Sequence, residues 1–166
     1  MGWSTVDDGL LSPSHGFVWQ DGELCDLGTM GLSSWSSIAT AVDGQGRVAG
    51  RLDGPTRERK VFLYDGTRML DLGRPPNCQW VCHPTGMNSL GQIVGQARDD
   101  REFAPGYHGW VWRSGRFVEL DSLVSLPGFT IEVPRGIDDA GQIATSARTA
   151  TAPYMLRALL LVPTRR

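Results

Sequence analysis

The stretch "HGFVWQDGELCDLG", His15 to Gly28, decides how the rest of the chain is read. "GFVWQ" is a short run of aromatic and β-branched residues, "DG" is a tight-turn signal, and "ELCDLG" returns toward a second turn glycine. Runs of this kind bounded by Gly and Asp mark a strand, a turn and a strand. The run is apolar without alternation, so the strand expects cover on both of its faces. Its phrasing returns in "HGWVWRSGRFVEL", His108 to Leu120.

Working outward, the chain repeats itself. Sliding it by the step from Phe17 to Phe62 lays Trp19 on Tyr64 and Asp26-Leu27-Gly28 on Asp71-Leu72-Gly73. The same step, without a gap, puts Trp35 on Trp80, Thr40 on Thr85, Asp43 on Asn88, Gly46 on Gly91 and Gly50 on Gly95. "GIDDAGQIA", Gly136 to Ala144, answers "GMNSLGQIV", Gly86 to Val94, and "RALLLV", Arg157 to Val162, opens a further copy. The N-terminal "WSTVDDGLL" reads as a shortened form of "ATAVDGQGRV". Matches concentrate at aromatic, glycine and turn positions, which a repeated backbone constrains.

Each copy reads as four short strands. In the first full one these are "SIATAV", "RVAGRL", "KVFLY" and "RMLDLG". The expectation is one all-β domain over residues 1–166, with units at about 15–58, 59–106 and 107–155 and a partial one at 156–166. Four-stranded sheets stacked face to face, as in a propeller, cover inner strands on both sides.

These phrases resemble the HAF repeat of bacterial proteins, whose pattern runs roughly His-Ala-Phe-Leu-Trp, Asn-Gly, Asp-Leu-Gly, then Ala-Ile-Asn-Asp-x-Gly-Gln-Val-Val-Gly. The resemblance spans Ser14 to Pro163. It implies a β-propeller-like fold, with many members extracellular, and it implies no single activity and no catalytic motif. This chain departs from the family in showing no secretion signal and in its copy number. About 3.5–4 units fall short of a six- or seven-bladed ring, and closed propellers use four to eight blades. An open arc exposes strand edges and faces. The expected remedies are a small closed ring, a compact barrel, or a homodimer in which two chains complete one ring.

Composition sets the remaining bounds. At 166 residues, with 40% apolar and 20% charged residues, the chain suits one globular domain. A net charge of −2 gives no pull toward nucleic acid or an anionic membrane surface. Lys60 is the only lysine. The 21 glycines and 10 prolines interrupt any helical pattern. No signal peptide or membrane-spanning run is visible, so a cytoplasmic location is expected. No cofactor is expected.

The densest chemistry lies in "NCQWVCHPTG", Asn77 to Gly86. Cys78, Cys82 and His83 could supply part of a zinc site, the two cysteines could form a disulfide, or all three could be packing and loop residues. The spacing matches neither a zinc knuckle nor a c-type haem site. Trp19, Tyr64 and Trp112 share a repeat position and are assigned to the core. Trp35 and Trp80 sit in the connection after "DLG", where each could cap its own blade, or two rings at one mouth could stack on a sugar or on a planar polyketide or peptide ligand. His15 and His108 share a position that suggests a structural role. Asp43, Asn88 and Asp138-Asp139 look like Asx-turn formers. Glu102, Asp121 and Glu132 break the repeat, as does "ARDDREFAPGYHG", Ala97 to Gly109.

Two functional classes follow. One is a non-catalytic binding module that takes a small molecule or partner protein at the aromatic rim, through Trp35, Trp80, His83 and Glu132. The other is a cyclase or lyase of bacterial specialised metabolism that uses a pocket at the same rim, with His83, His108 or Glu132 as the acid–base candidates.

Overall fold

The computed structural model describes residues 1–5, 13–98, 106–149, 151 and 155–164. The fold is all-β: four small antiparallel sheets follow one another along the chain. The first holds β1 (Gly2–Thr5), β2 (Ser14–Gln20) and β3 (Glu23–Gly28). The second is a meander of β4 (Ser36–Val42), β5 (Val48–Asp53), β6 (Arg59–Tyr64) and β7 (Met69–Gly73). The third repeats it with β8 (Val81–Met87), β9 (Ile93–Arg98), β10 (His108–Arg113) and β11 (Arg116–Glu119). A 3-10 turn at Leu120–Leu123 leads to the fourth. There β12 (Phe129–Ile131) and β13 (Gly136–Ile137) both pair with one side of β14 (Ile143–Thr149), and β15 (Leu156–Leu161) pairs with the other.

Sheet packs on sheet in chain order, with a separate apolar layer at each junction. Val18, Leu27, Ala39, Val48, Leu52 and Phe62 fill the first. Ala49, Val61, Leu63, Met87, Ile93 and Trp110 belong to the second, and Val94, Val111, Leu120, Ile131, Ile143 and Ala147 fill the third. This explains the absence of alternation in the central strands. Side chains alternate between faces, so Val48 goes to the first layer and its neighbour Ala49 to the second, while Ile93 and Val94 divide between the second and third. Both faces are apolar because both are covered. No closed ring is seen among the described residues.

The repeat extends to details of register. Bulges between Gly16 and Phe17 and between Val61 and Phe62 fall one repeat apart, as do those between Ala39 and Ala41 and between Pro84 and Gly86. Gly2 stands opposite Phe17, Gly50 opposite Phe62 and Gly95 opposite Trp110. In each pair the aromatic ring lies across the glycine. A methyl group at Gly50 would collide with the Phe62 ring and the Ile38 carbonyl, and one at Gly95 would meet the Trp110 ring and stand 2.5 Å from His83 O.

Turns after the first strand of each unit are built alike. Asp43, Asn88 and Asp138 each accept a backbone N–H four residues on, from Arg47 at 3.0 Å, Gln92 at 2.9 Å and Gln142 at 2.7 Å. Gly46, Gly91 and Gly141 follow at φ of 80°, 75° and 78°, a region that glycine enters without steric cost. These turns also join the sheets. Arg47 Nη2 donates to Ser89 O at 2.8 Å, Asn88 Nδ2 to Asp138 O at 2.9 Å, and Ser89 N–H to Asp139 Oδ1 at 2.8 Å.

One core assignment needs correction. Trp19 is 63% exposed, whereas its counterparts Tyr64 and Trp112 pack against the first and second layers. Trp19 points away from the second sheet, onto a face that no other sheet covers among the described residues. His15 bonds Asp26 on the adjacent strand at 2.9 Å, the place where Lys60 meets Asp71 at 2.6 Å one unit later.

Candidate functional site

Two loops converge beside the second sheet. The hairpin loop between β5 and β6 closes through Gly54 N–H to Glu58 O at 2.7 Å and puts Arg57 in a left-handed conformation, φ 67°. The connection from β7 to β8 carries Arg74, Gln79 and Trp80, and is tied down where Trp80 N–H reaches Arg98 O at 2.9 Å. Between them lies a cleft of about 310 Å³ lined by Thr56, Arg57, Glu58, Arg74, Gln79 and Trp80. An adjoining recess brings in Arg59.

The Arg57 guanidinium lies 4.3 Å from the centroid of the Trp80 ring, a cation–π contact. Trp80 is 41% exposed. Two arginines, Arg57 and Arg74, line the cleft beside one carboxylate, Glu58, and a third, Arg59, lines the adjoining recess. That carboxylate is occupied: it accepts from the Thr56 hydroxyl and from Thr56 N–H at 3.1 Å. The Thr56 hydroxyl is the main influence holding Glu58 below the usual glutamate range. Arg59 pairs with Asp53, but its Nε is buried without a partner. Arg74 spends one N–H on Cys78 O at 2.5 Å.

His83 stands behind this cleft rather than in it. Asp53 bridges Arg59 to Arg51, whose Nε lies 3.1 Å from Asp53 Oδ2. Arg51 Nη1 in turn lies 3.1 Å from His83 Nδ1. Guanidinium can only donate, so Nδ1 accepts and the proton resides on Nε2. Burial first, and the Arg51 charge second, push His83 below its ordinary 6.5. The ring is neutral at pH 7.

Cys78 and Cys82 are free thiols buried in the second apolar layer and hydrogen-bonded to each other. That bond, helped by the charges of Arg74 and Arg59, lowers Cys78, while Cys78 and burial raise Cys82. Among the described residues, no group of three or more His, Cys, Asp or Glu side chains could hold a metal ion.

The other residues singled out from sequence do not line the cleft. Trp35 packs against the first apolar layer, with Lys60 Nζ 5.6 Å from its ring. A methyl group on Gly54 would stand 2.9 Å from Trp35, so ring and loop are in close contact. Glu132 is buried in the fourth sheet, 2.6 Å from Arg148 Nε. His108 opens β10 opposite Ala97. Asp121 accepts Ile131 N–H at 2.9 Å. Glu102 and most of the Ala97–Gly109 segment lie outside the described residues.

Arg57 and Arg74 were missed in the sequence, where each reads as one loop arginine among many. The available signal was "GPTRER", a long Gly-Pro hairpin loop preceding the strand of the next unit. Compared with protein-family models, with curated proteins and with solved structures, the chain matches none of them.

Proposed function

We propose that the protein is a non-catalytic binding module whose four sheets are consecutive blades of a propeller-like arc, and that the cleft beside Trp80 takes a small molecule. The observation that carries this reading is the Arg57 guanidinium resting on the Trp80 ring at the mouth of a cleft that also holds Arg74. An exposed indole offers a flat apolar surface, and two arginines beside it offer donor forks matched to carboxylate or phosphate. The ligand class that fits is an anion carrying a planar ring, which stacks on Trp80 while its charge is held by Arg57 and Arg74. The resemblance to HAF repeats supports the blade reading and is silent on the ligand.

Binding is favoured over turnover by the character of the lining. Its only carboxylate is held by Thr56, and His83 has given its basic nitrogen to Arg51. General acid–base work needs a group poised to exchange a proton with the substrate, and neither is so poised.

The test is a titration of isotope-labelled protein with 2-naphthoate and with phenyl phosphate. Saturable shifts are expected at the Trp80 indole N–H and at the Nε–H groups of Arg57 and Arg74. Trp80→Ala and Arg74→Ala should each weaken binding roughly tenfold, the scale of a cation–π or charge-assisted contact. Shifts scattered over the surface, no saturation, or an indifferent Trp80→Ala variant would overturn the proposal.

A further inference from the structure

The two outer faces of the stack carry the same repeat positions that are buried inside it. Val18, Leu63 and Val111 occupy one register position and face the next sheet, exposed 8%, 8% and 2%. The equivalence follows from the cross-strand pairs. Gly50 faces Phe62, Gly95 faces Trp110, and Thr145 faces Leu159, so Leu160 succeeds Leu159 as Leu63 succeeds Phe62. Leu160 is nonetheless 60% exposed. The fourth sheet presents the forward face that the other three bury.

The first sheet mirrors this. Trp19 and Leu24 are cross-strand partners, as are Tyr64 and Met69 one unit later and Trp112 and Phe117 in the third sheet. The later pairs pack against the preceding sheet as part of the first and second apolar layers. Trp19 and Leu24 are 63% and 65% exposed. The first sheet therefore presents the backward face that the second and third bury.

We infer that these faces are the two halves of one interface, and that the occupant of each is a second copy of this chain. The fourth sheet of one protomer packs on the first sheet of its partner, and the partner's fourth sheet packs on the first sheet of the original. The interface is continuous with the one that already joins consecutive sheets three times within the chain. A forward face meets a backward face at every such junction, and with two copies the pair of junctions is related by two-fold symmetry, the fourth sheet of each protomer meeting the first sheet of the other. Two copies meeting this way twice close on a two-fold axis. The resulting ring has eight sheets, the upper end of the ordinary propeller range. Large apolar side chains exposed at register positions that the same fold buries elsewhere are the usual mark of such a contact. This extends the blade reading and is independent of the ligand cleft.

The experiment is light scattering coupled to size exclusion on the wild type and on Trp19→Arg and Leu160→Arg. Both substitutions are at exposed positions, and unchanged circular dichroism checks that the variants fold. The wild type should run at twice the chain mass, and each variant should run at the monomer mass. Mixing the two variants should restore a dimer of intermediate affinity, because one junction of the two is then wild type on both sides. A monomeric wild type overturns the inference. So does a dimer that only one of the two variants dissociates, which would mean that two identical faces meet. Growth into longer polymers would show head-to-tail contact without closure and would overturn the ring. The naphthoate titration reads the cleft separately, so a monomer with normal indole shifts would remove the ring and leave the binding site.

Discussion

At the scale of single residues, the hardest-working position is the second of each sheet-to-sheet handover. Ser37 is fully buried; its hydroxyl accepts Gly16 N–H at 2.9 Å and donates to Gly28 O at 2.6 Å. Both partners belong to the preceding sheet, so one oxygen joins two sheets. Cys82 holds the same position in the third sheet and Glu132 in the fourth, since Pro84-Thr85-Gly86 aligns with Pro134-Arg135-Gly136. Both are buried. A hydroxyl, a thiol and a carboxylate thus share one buried register position, and the Ser37 hydroxyl uses it to bridge two sheets. Ser37→Ala leaves a buried N–H and a half-buried C=O without their partner, and should cost about 1–3 kcal/mol, read as a lower urea midpoint at unchanged slope. Alignment on aromatic and glycine positions brings Cys82 over Ser37, yet Glu132 reads as a break in the pattern. Its equivalence is hidden because the three side chains share a place and not a chemistry.

At the scale of strands and turns, the sequence is most legible where backbone geometry selects the residue. Asp43, Asn88 and Asp138 are recognisable as turn formers because only a short side-chain acceptor can reach the N–H groups that follow. The glycines opposite Phe62 and Trp110 are legible as conserved spacing within the repeat, but not as ring-bearing sites, since the partner lies on another strand. That pairing predicts a strong and specific effect. Gly50→Ala forces a methyl group into the Phe62 ring and should destabilise by about 1–3 kcal/mol, the usual range for overpacking. Phe62→Leu alone should also destabilise, through lost contact. Combined with Gly50→Ala it should cost less than the sum, because the smaller side chain relieves the ring collision while the clash with the Ile38 carbonyl remains. A double-mutant cycle by urea denaturation measures the difference, and strict additivity would refute the ring-over-glycine account. Trp19 was misjudged for a related reason: whether a repeated position is buried depends on a neighbouring sheet, which no local pattern reveals. The cleft shares that obscurity, because Arg57 and Trp80 come from different units.

At the scale of the whole molecule, the sheets form a line in which each meets its neighbours. Stability in such arrays approximates a sum of unit and junction contributions. Middle sheets have two junctions within the chain and outer sheets have one. In the Leu160→Arg chain, amide exchange should therefore be slowest in β5, β6, β9 and β10 and faster in β2, β3 and β15. In the wild type the gradient should flatten as the outer faces are covered. Exchange followed by mass spectrometry resolves these strands, and equal protection in both proteins would contradict the linear picture.

The bonded turns that tie sheet to sheet have an evolutionary consequence. The middle turn carries both a donor that grips the unit ahead and an acceptor that the unit behind grips, as Ser89 accepts from Arg47 and donates to Asp139. A tandem duplication copying one such unit copies a whole coupling, plug and socket together. Lineages can lengthen or shorten the array by gene slippage without first evolving a new joint, and copy number becomes a trait that drifts more freely than the sequence of any single unit.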